Sequence, residues 1–183
     1  MQPRTCAGRQ LCSDEAFCSP PQIGHNIGLA HSNEAGTYKD QTGFMGYSYS
    51  NDEQRMCFNN AKTYQLGWFS DQQEDLAEGS NWSGTITGQV NYSNGNGPPV
   101  LIKLGNAFIG FNWKTGYNTN TAEAGNLVTI QQYTGSGYSA SELLHKLGVG
   151  ASTTITGTSD TITVNAINTS TGTADITINA GSP

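Results

Sequence analysis

The stretches Asp160-Thr161-Ile162-Thr163-Val164-Asn165-Ala166-Ile167 and Ala174-Asp175-Ile176-Thr177-Ile178-Asn179-Ala180 alternate Thr with Ile and Val in short runs, the habit of half-buried β-strands. The same texture extends back to Trp82, through GTITGQV, VLIKLG, AFIGFNW, NLVTIQQY and TTITG. Polar turn signals lie between the runs, among them Ser93-Asn94-Gly95-Asn96-Gly97-Pro98-Pro99 and Asn118-Thr119-Asn120. Short strands spaced in this way predict an antiparallel sandwich or barrel of about seven or eight strands over residues 81–183. Ser139 to Leu147 could instead form a helical turn. A section of ~100 residues can bury its own core.

The part before Trp82 differs. Residues 1–80 hold ten acidic and five basic side chains, against four and three in residues 81–183. Two helices are expected there. One runs from about Pro20 to Ala30: Ser19 can cap it, Pro20 suits its first position, and Gln22 completes a Ser-x-x-Gln capping box. The other runs from about Asn60 to Leu66 and stops at Gly67.

Composition bounds the function. The chain has 183 residues, eight Lys plus Arg against fourteen Asp plus Glu, and a net charge of -6. An acidic chain without a basic stripe is poorly suited to phosphate backbones, so nucleic acid is not an expected partner. The best apolar run, Val100 to Phe111, is broken by Lys103, Gly105 and Asn106, well short of the ~20 residues of a membrane span. The first residues lack the apolar stretch of a signal peptide. Asn81-Trp82-Ser83, Asn91-Tyr92-Ser93 and Asn168-Thr169-Ser170 are nonetheless glycosylation acceptors if the chain is secreted. Cys6, Cys12, Cys18 and Cys57 allow three disulfide pairings, and their spacing is unlike a zinc knuckle, so residues 1–21 read as a poorly ordered leader.

Chemistry concentrates in Gln22-Ile23-Gly24-His25-Asn26-Ile27-Gly28-Leu29-Ala30-His31-Ser32. A helix carrying His25 and broken at Gly28 can return His31 toward the same point, because glycine accepts the positive φ of a sharp turn. Zinc is the natural guest of two converging imidazoles, although a catalytic zinc normally takes three protein ligands. His145, beside Leu143 and Leu144, reads as a surface or cap residue. Trp68, Trp82 and Trp113 could form a carbohydrate platform, but strand aromatics more often pack in cores.

From its second His onward, the stretch resembles the H-E-x-x-H-x-x-G-x-x-H zinc signature of metzincin peptidases. Thr42-Gly43-Phe44-Met45-Gly46-Tyr47, whose Met45 follows His31 by fourteen residues, resembles that clan's Met-turn. Cys57-Phe58-Asn59-Asn60-Ala61-Lys62 and Gln65-Leu66-Gly67-Trp68 are similar to the next segment of gametolysin-type peptidases, extracellular metalloendopeptidases that degrade cell-wall and matrix proteins. Ile109-Gly110-Phe111-Asn112, Thr115-Gly116-Tyr117-Asn118 and Asn126-Leu127-Val128-Thr129-Ile130 are similar to their β-rich region, so the resemblance covers residues 22–183.

It implies an α+β, mostly β fold. Residues 22–80 would be the C-terminal part of a metzincin-like catalytic domain, with a short active-site helix, the Met-turn and one further helix. Residues 81–183 would be an antiparallel β-sandwich-like domain. His25 and His31 would be the second and third zinc ligands, Gly28 the turn between them and Met45 the apolar floor. Tyr47 would bind zinc or stabilise an oxyanion. The implied location is extracellular or cell wall, and the implied partners are protein substrates there.

Two positions depart from the signature. Pro21 stands where the first ligand belongs and has no donor atom; Gln22 stands at the general-base glutamate and cannot take a proton. Losing a general base typically costs ~10²–10⁴-fold, and two imidazoles hold zinc less firmly than three. The expectation is therefore a truncated or mis-joined chain, or an inactive descendant that binds matrix or carbohydrate. A site rebuilt with Cys18 or Asp14 is the third alternative.

Overall fold

The computed structural model describes residues 24–46, 56–133 and 137–181. Ten strands are found among them: β1 (Ser32–Asn33), β2 (Gln73–Leu76), β3 (Trp82–Thr87), β4 (Leu101–Leu104), β5 (Ala107–Phe111), β6 (Val128–Gln132), β7 (Ser141–Leu147), β8 (Ser152–Thr154), β9 (Thr161–Asn168) and β10 (Thr173–Asn179). They form a six-stranded sheet, order β1-β7-β6-β5-β4-β2, and a four-stranded sheet, order β3-β10-β9-β8. Eight strands follow residue 81, each on a segment with strand-like alternation except β7.

The alternation does what the period of two demands. Ile162 and Val164 of β9 and Ala174, Ile176 and Ile178 of β10 face Ile102, Leu104, Ile109, Phe111, Val128 and Ile130 of the larger sheet in one apolar core. Every residue of β5 is buried because both its faces are covered. Ala107, Ile109 and Phe111 enter the core between the sheets, whereas Phe108 packs with Ala61 and Leu101 on the opposite side, against Tyr64.

That opposite side carries the Asn60–Gln65 helix. Asn59 caps it by accepting the Lys62 N–H, and Gly67 leaves it with φ +65°. The helix is pegged to the sheet by Asn60, whose amide donates to Thr129 Oγ1 at 3.0 Å and to Gln131 Oε1 at 2.7 Å. With the loops around it, the helix makes a third layer on the larger sheet.

Three features differ from the sequence reading. The first helix is helical only over residues 24–26 of its described part, then turns at Ile27 and Gly28, well before Ala30. Ser141–Leu147 is a strand, not a helical turn. A bulge opposite Ile130 and Gln131 reverses the parity of β7, so Leu143 pairs with Gln131, which is buried on the face that carries the helix, while Leu147 pairs with Val128, which faces the core between the sheets. That reversal produces the helix-like spacing of leucines. Thirdly, β1 and β2 pair in parallel with β7 and β4, so the segments on either side of residue 80 share one sheet. No helix among the described residues is long and apolar enough to cross a membrane.

Candidate metal centre

The site begins at a helix end. The Gly28 N–H donates to His25 O, and the Leu29 N–H donates back to Gly24 O at 2.9 Å, with Gly28 at φ +87°. These paired bonds, closed by a left-handed glycine, form a Schellman stop and reverse the chain. Leu29 is fully buried after the turn. The chain then enters β1, where its position is pinned on both sides of Ser32: His31 O accepts the Ser141 N–H, and the Ser32 N–H donates to Met45 O at 2.8 Å.

The turn brings two imidazoles together. His25 Nε2 and His31 Nε2 are 3.2 Å apart, with ring planes inclined at 63°. Two nitrogens bound to one tetrahedral zinc at ~2.0–2.1 Å stand about 3.3 Å apart, so the observed separation fits a shared cation. The tautomer fits as well. Leu29 O lies 2.8 Å from His25 Nδ1 and can only accept, so the proton of neutral His25 sits on Nδ1 and Nε2 presents its lone pair. Burial, then the adjoining His25, then Lys62 push the His31 pKa down. His31 is thus kept in the neutral form that a metal requires.

Met45 packs against this turn. It is 1% exposed, and a Cβ on Gly24 would stand only 2.1 Å from its sulfur, so the thioether fills the side-chain space of the residue preceding His25. A buried polar network continues outward. The Asn59 amide donates to Asp40 Oδ2 at 2.7 Å and to the hydroxyls of Ser32 and Ser141, tying the helix cap to the strand that follows His31. Burial raises the Asp40 pKa, against the lowering effect of bonds from Thr42 and Asn59.

Two tyrosines join the histidines, and neither was singled out by the sequence. Tyr38 Oη is 2.7 Å from His31 Nε2, and Tyr138 Oη is 2.8 Å from His25 Nδ1. Tyr138 arrives from residues 137–139, clasped by Lys62, which donates to Ser139 O, and by Gln65, which donates to Gly137 O and Gly28 O. Tyr38 reaches His31 from a loop rather than along a helix or strand, and Tyr138 stands 113 residues beyond its partner His25, so neither pairing follows a repeat that a sequence could display.

Pro21, Gln22 and Tyr47 lie outside the described residues, as do Asp14, Cys6, Cys12 and Cys18. Among the described residues no third His, Cys, Asp or Glu joins the pair. Cys57 is disulfide-bonded. The tryptophans are dispersed: Trp82 and Trp113 pack against the core between the sheets, and Trp68 packs with Phe58 and Phe69. His145 sits on β7 near Thr156 Oγ1, its pKa lowered by burial. Comparison of the chain with protein-family models, curated proteins and solved structures gives no significant match.

Proposed function

We propose that this protein is a zinc-binding relative of the gametolysin-type metalloendopeptidases, extracellular enzymes that degrade cell-wall or matrix proteins. With Pro21 and Gln22 in place it hydrolyses peptides poorly or not at all. The observation that carries the reading is the 3.2 Å approach of His25 Nε2 to His31 Nε2 across the Gly28 turn. Met45, buried against Gly24 of the helical turn that carries His25, is the second part of the same pattern.

His25 and His31 would hold the ion through Nε2. When bound, zinc supplies Lewis-acid polarisation of a scissile carbonyl. The chain's residues contribute the rest. Leu29 O fixes the His25 tautomer. The buried thioether of Met45 would supply the apolar floor that the family pattern expects, packed against Gly24. Gln22, an amide, can orient a water by hydrogen bonding but cannot remove its proton.

The test is reconstruction. Pro21→His together with Gln22→Glu restores the missing ligand and base, and should confer chelator-sensitive cleavage of a denatured protein substrate that the unaltered chain lacks. Robust chelator-sensitive cleavage by the unaltered chain would contradict the assignment of Pro21 and Gln22. A zinc-loaded double variant without activity would contradict the peptidase ancestry.

A further inference from the structure

The geometry points to Tyr38 as the third protein donor to the metal: we propose a His25 Nε2, His31 Nε2, Tyr38 Oη ligand set with one position left open. This rests on the metal-centre reading above and deepens it.

Three observations converge on Tyr38. Its hydroxyl lies 2.7 Å from His31 Nε2, the same nitrogen that is 3.2 Å from His25 Nε2, so both the phenol and the second imidazole are direct neighbours of one ligand nitrogen. Tyr138 approaches His25 from the opposite ring nitrogen, Nδ1, and is therefore on the wrong side to share that spot. Secondly, Tyr38 is held at φ +64°, in the left-handed region, although it is not glycine. Such a conformation is disfavoured for an L-residue and persists where surrounding structure enforces it, characteristically at functional sites. The enforcing contacts are present: the Tyr38 N–H donates to Asn33 Oδ1, and its ring lies 3.9 Å from that of His31, centroid to centroid. Lys146 anchors the start of the same loop by bridging Glu34 to Glu123, each at 2.6 Å.

Thirdly, the donor arithmetic is incomplete without it. Two imidazoles make a weak zinc site, while three protein donors plus an open position make the usual catalytic one. Without metal, the phenol and His31 Nε2 are hydrogen-bonded to each other; on coordination the oxygen forms the bond to the ion and the phenol proton leaves to solvent. No oxidant or further reactant is needed.

The experiment uses the full chain and two probes. Cu(II) bound through a phenolate gives a ligand-to-metal absorption band in the visible, which imidazoles alone do not. Zinc affinity is measured separately by competition with a chromogenic chelator. The wild type should show the band, and Tyr38→Phe should abolish it while weakening zinc by about tenfold or more, since even outer contacts to metal ligands are worth ~10–100-fold. Thermal unfolding of Tyr38→Phe confirms that the variant is folded. Tyr47→Phe and Tyr138→Phe should keep the band. A site that depends on His25 and His31 yet is unchanged in Tyr38→Phe overturns the third-donor assignment and leaves the histidine pair standing. A band lost in Tyr47→Phe instead also overturns it. Failure of the wild type to bind either ion overturns both this inference and the reading it rests on.

Discussion

Replacing Gly28 by alanine isolates one physical effect. The residue sits at φ +87°, and a Cβ added there meets nothing within 4 Å, so no clash contributes. What remains is the left-handed penalty of an L-residue, ~1–2 kcal/mol, partly offset by the ~0.4–1 kcal/mol by which alanine restricts the unfolded chain. The expected net loss is about 1 kcal/mol, or ~2–4 °C in Tm for a chain of this size. The turn also sets the His25 to His31 approach. If alanine instead relaxes to an ordinary conformation in the metal-free protein, the strain reappears on binding as a loss of about fivefold in zinc affinity. Gly28→Asn should recover most of either loss, because asparagine tolerates this region. Gly67 provides the control: it has φ +65° and equally open surroundings, so Gly67→Ala should cost similar stability without changing zinc affinity. Denaturant unfolding followed by tryptophan fluorescence, with zinc titration of each variant, separates the two effects. Gly28→Ala retaining full stability and full zinc affinity would refute the claim that this turn returns His31 to His25.

Two further substitutions probe the surroundings of the site. Gly24→Ala places a methyl 2.1 Å from the Met45 sulfur and should destabilise by ~1–3 kcal/mol; Met45→Ala in the same chain should relieve much of that. Strict additivity in this double-mutant cycle would show that Met45 does not fill the space beside Gly24. Lys62 is fully buried, and burial lowers its pKa from 10.5 to about 8, with Asp40 opposing the shift. Between those values the unfolded chain binds the extra proton, so the contribution of Lys62 to stability rises with pH from about 8 to 10.5, by up to ~3 kcal/mol. Subtracting the pH profile of Lys62→Met from that of the wild type should show this rise, and parallel profiles would contradict it.

Much of the larger architecture is legible in the sequence because it is encoded locally. The Ile and Val spacing of β9 and β10 identifies strands without knowledge of their partners. Gly67 likewise marks the end of the Asn60–Gln65 helix. The His25, Gly28, His31 pattern is legible for the same reason: the turn is six residues long and its geometry is set by one glycine. What escapes notice is non-local. Ser32–Asn33 and Gln73–Leu76 are short and largely polar, and become strands only through parallel pairing with residues far along the chain. The bulge in β7 turns a strand into something with helical spacing. Tyr38 reaches His31 through a loop whose left-handed residues, Ala35 and Tyr38, are not of the types that announce such turns. Tyr138 depends on Lys62 and Gln65 holding residues 137–139 against the helix, a contact no spacing rule anticipates.

The central claim is that His25 and His31 together hold one metal ion. Calorimetric titration of the metal-stripped chain with zinc should find one ion per chain in the wild type and no comparable site in either His25→Ala or His31→Ala, each confirmed as folded by its thermal transition. Zinc bound equally well by His25→Ala, or not bound by the wild type at all, would contradict it.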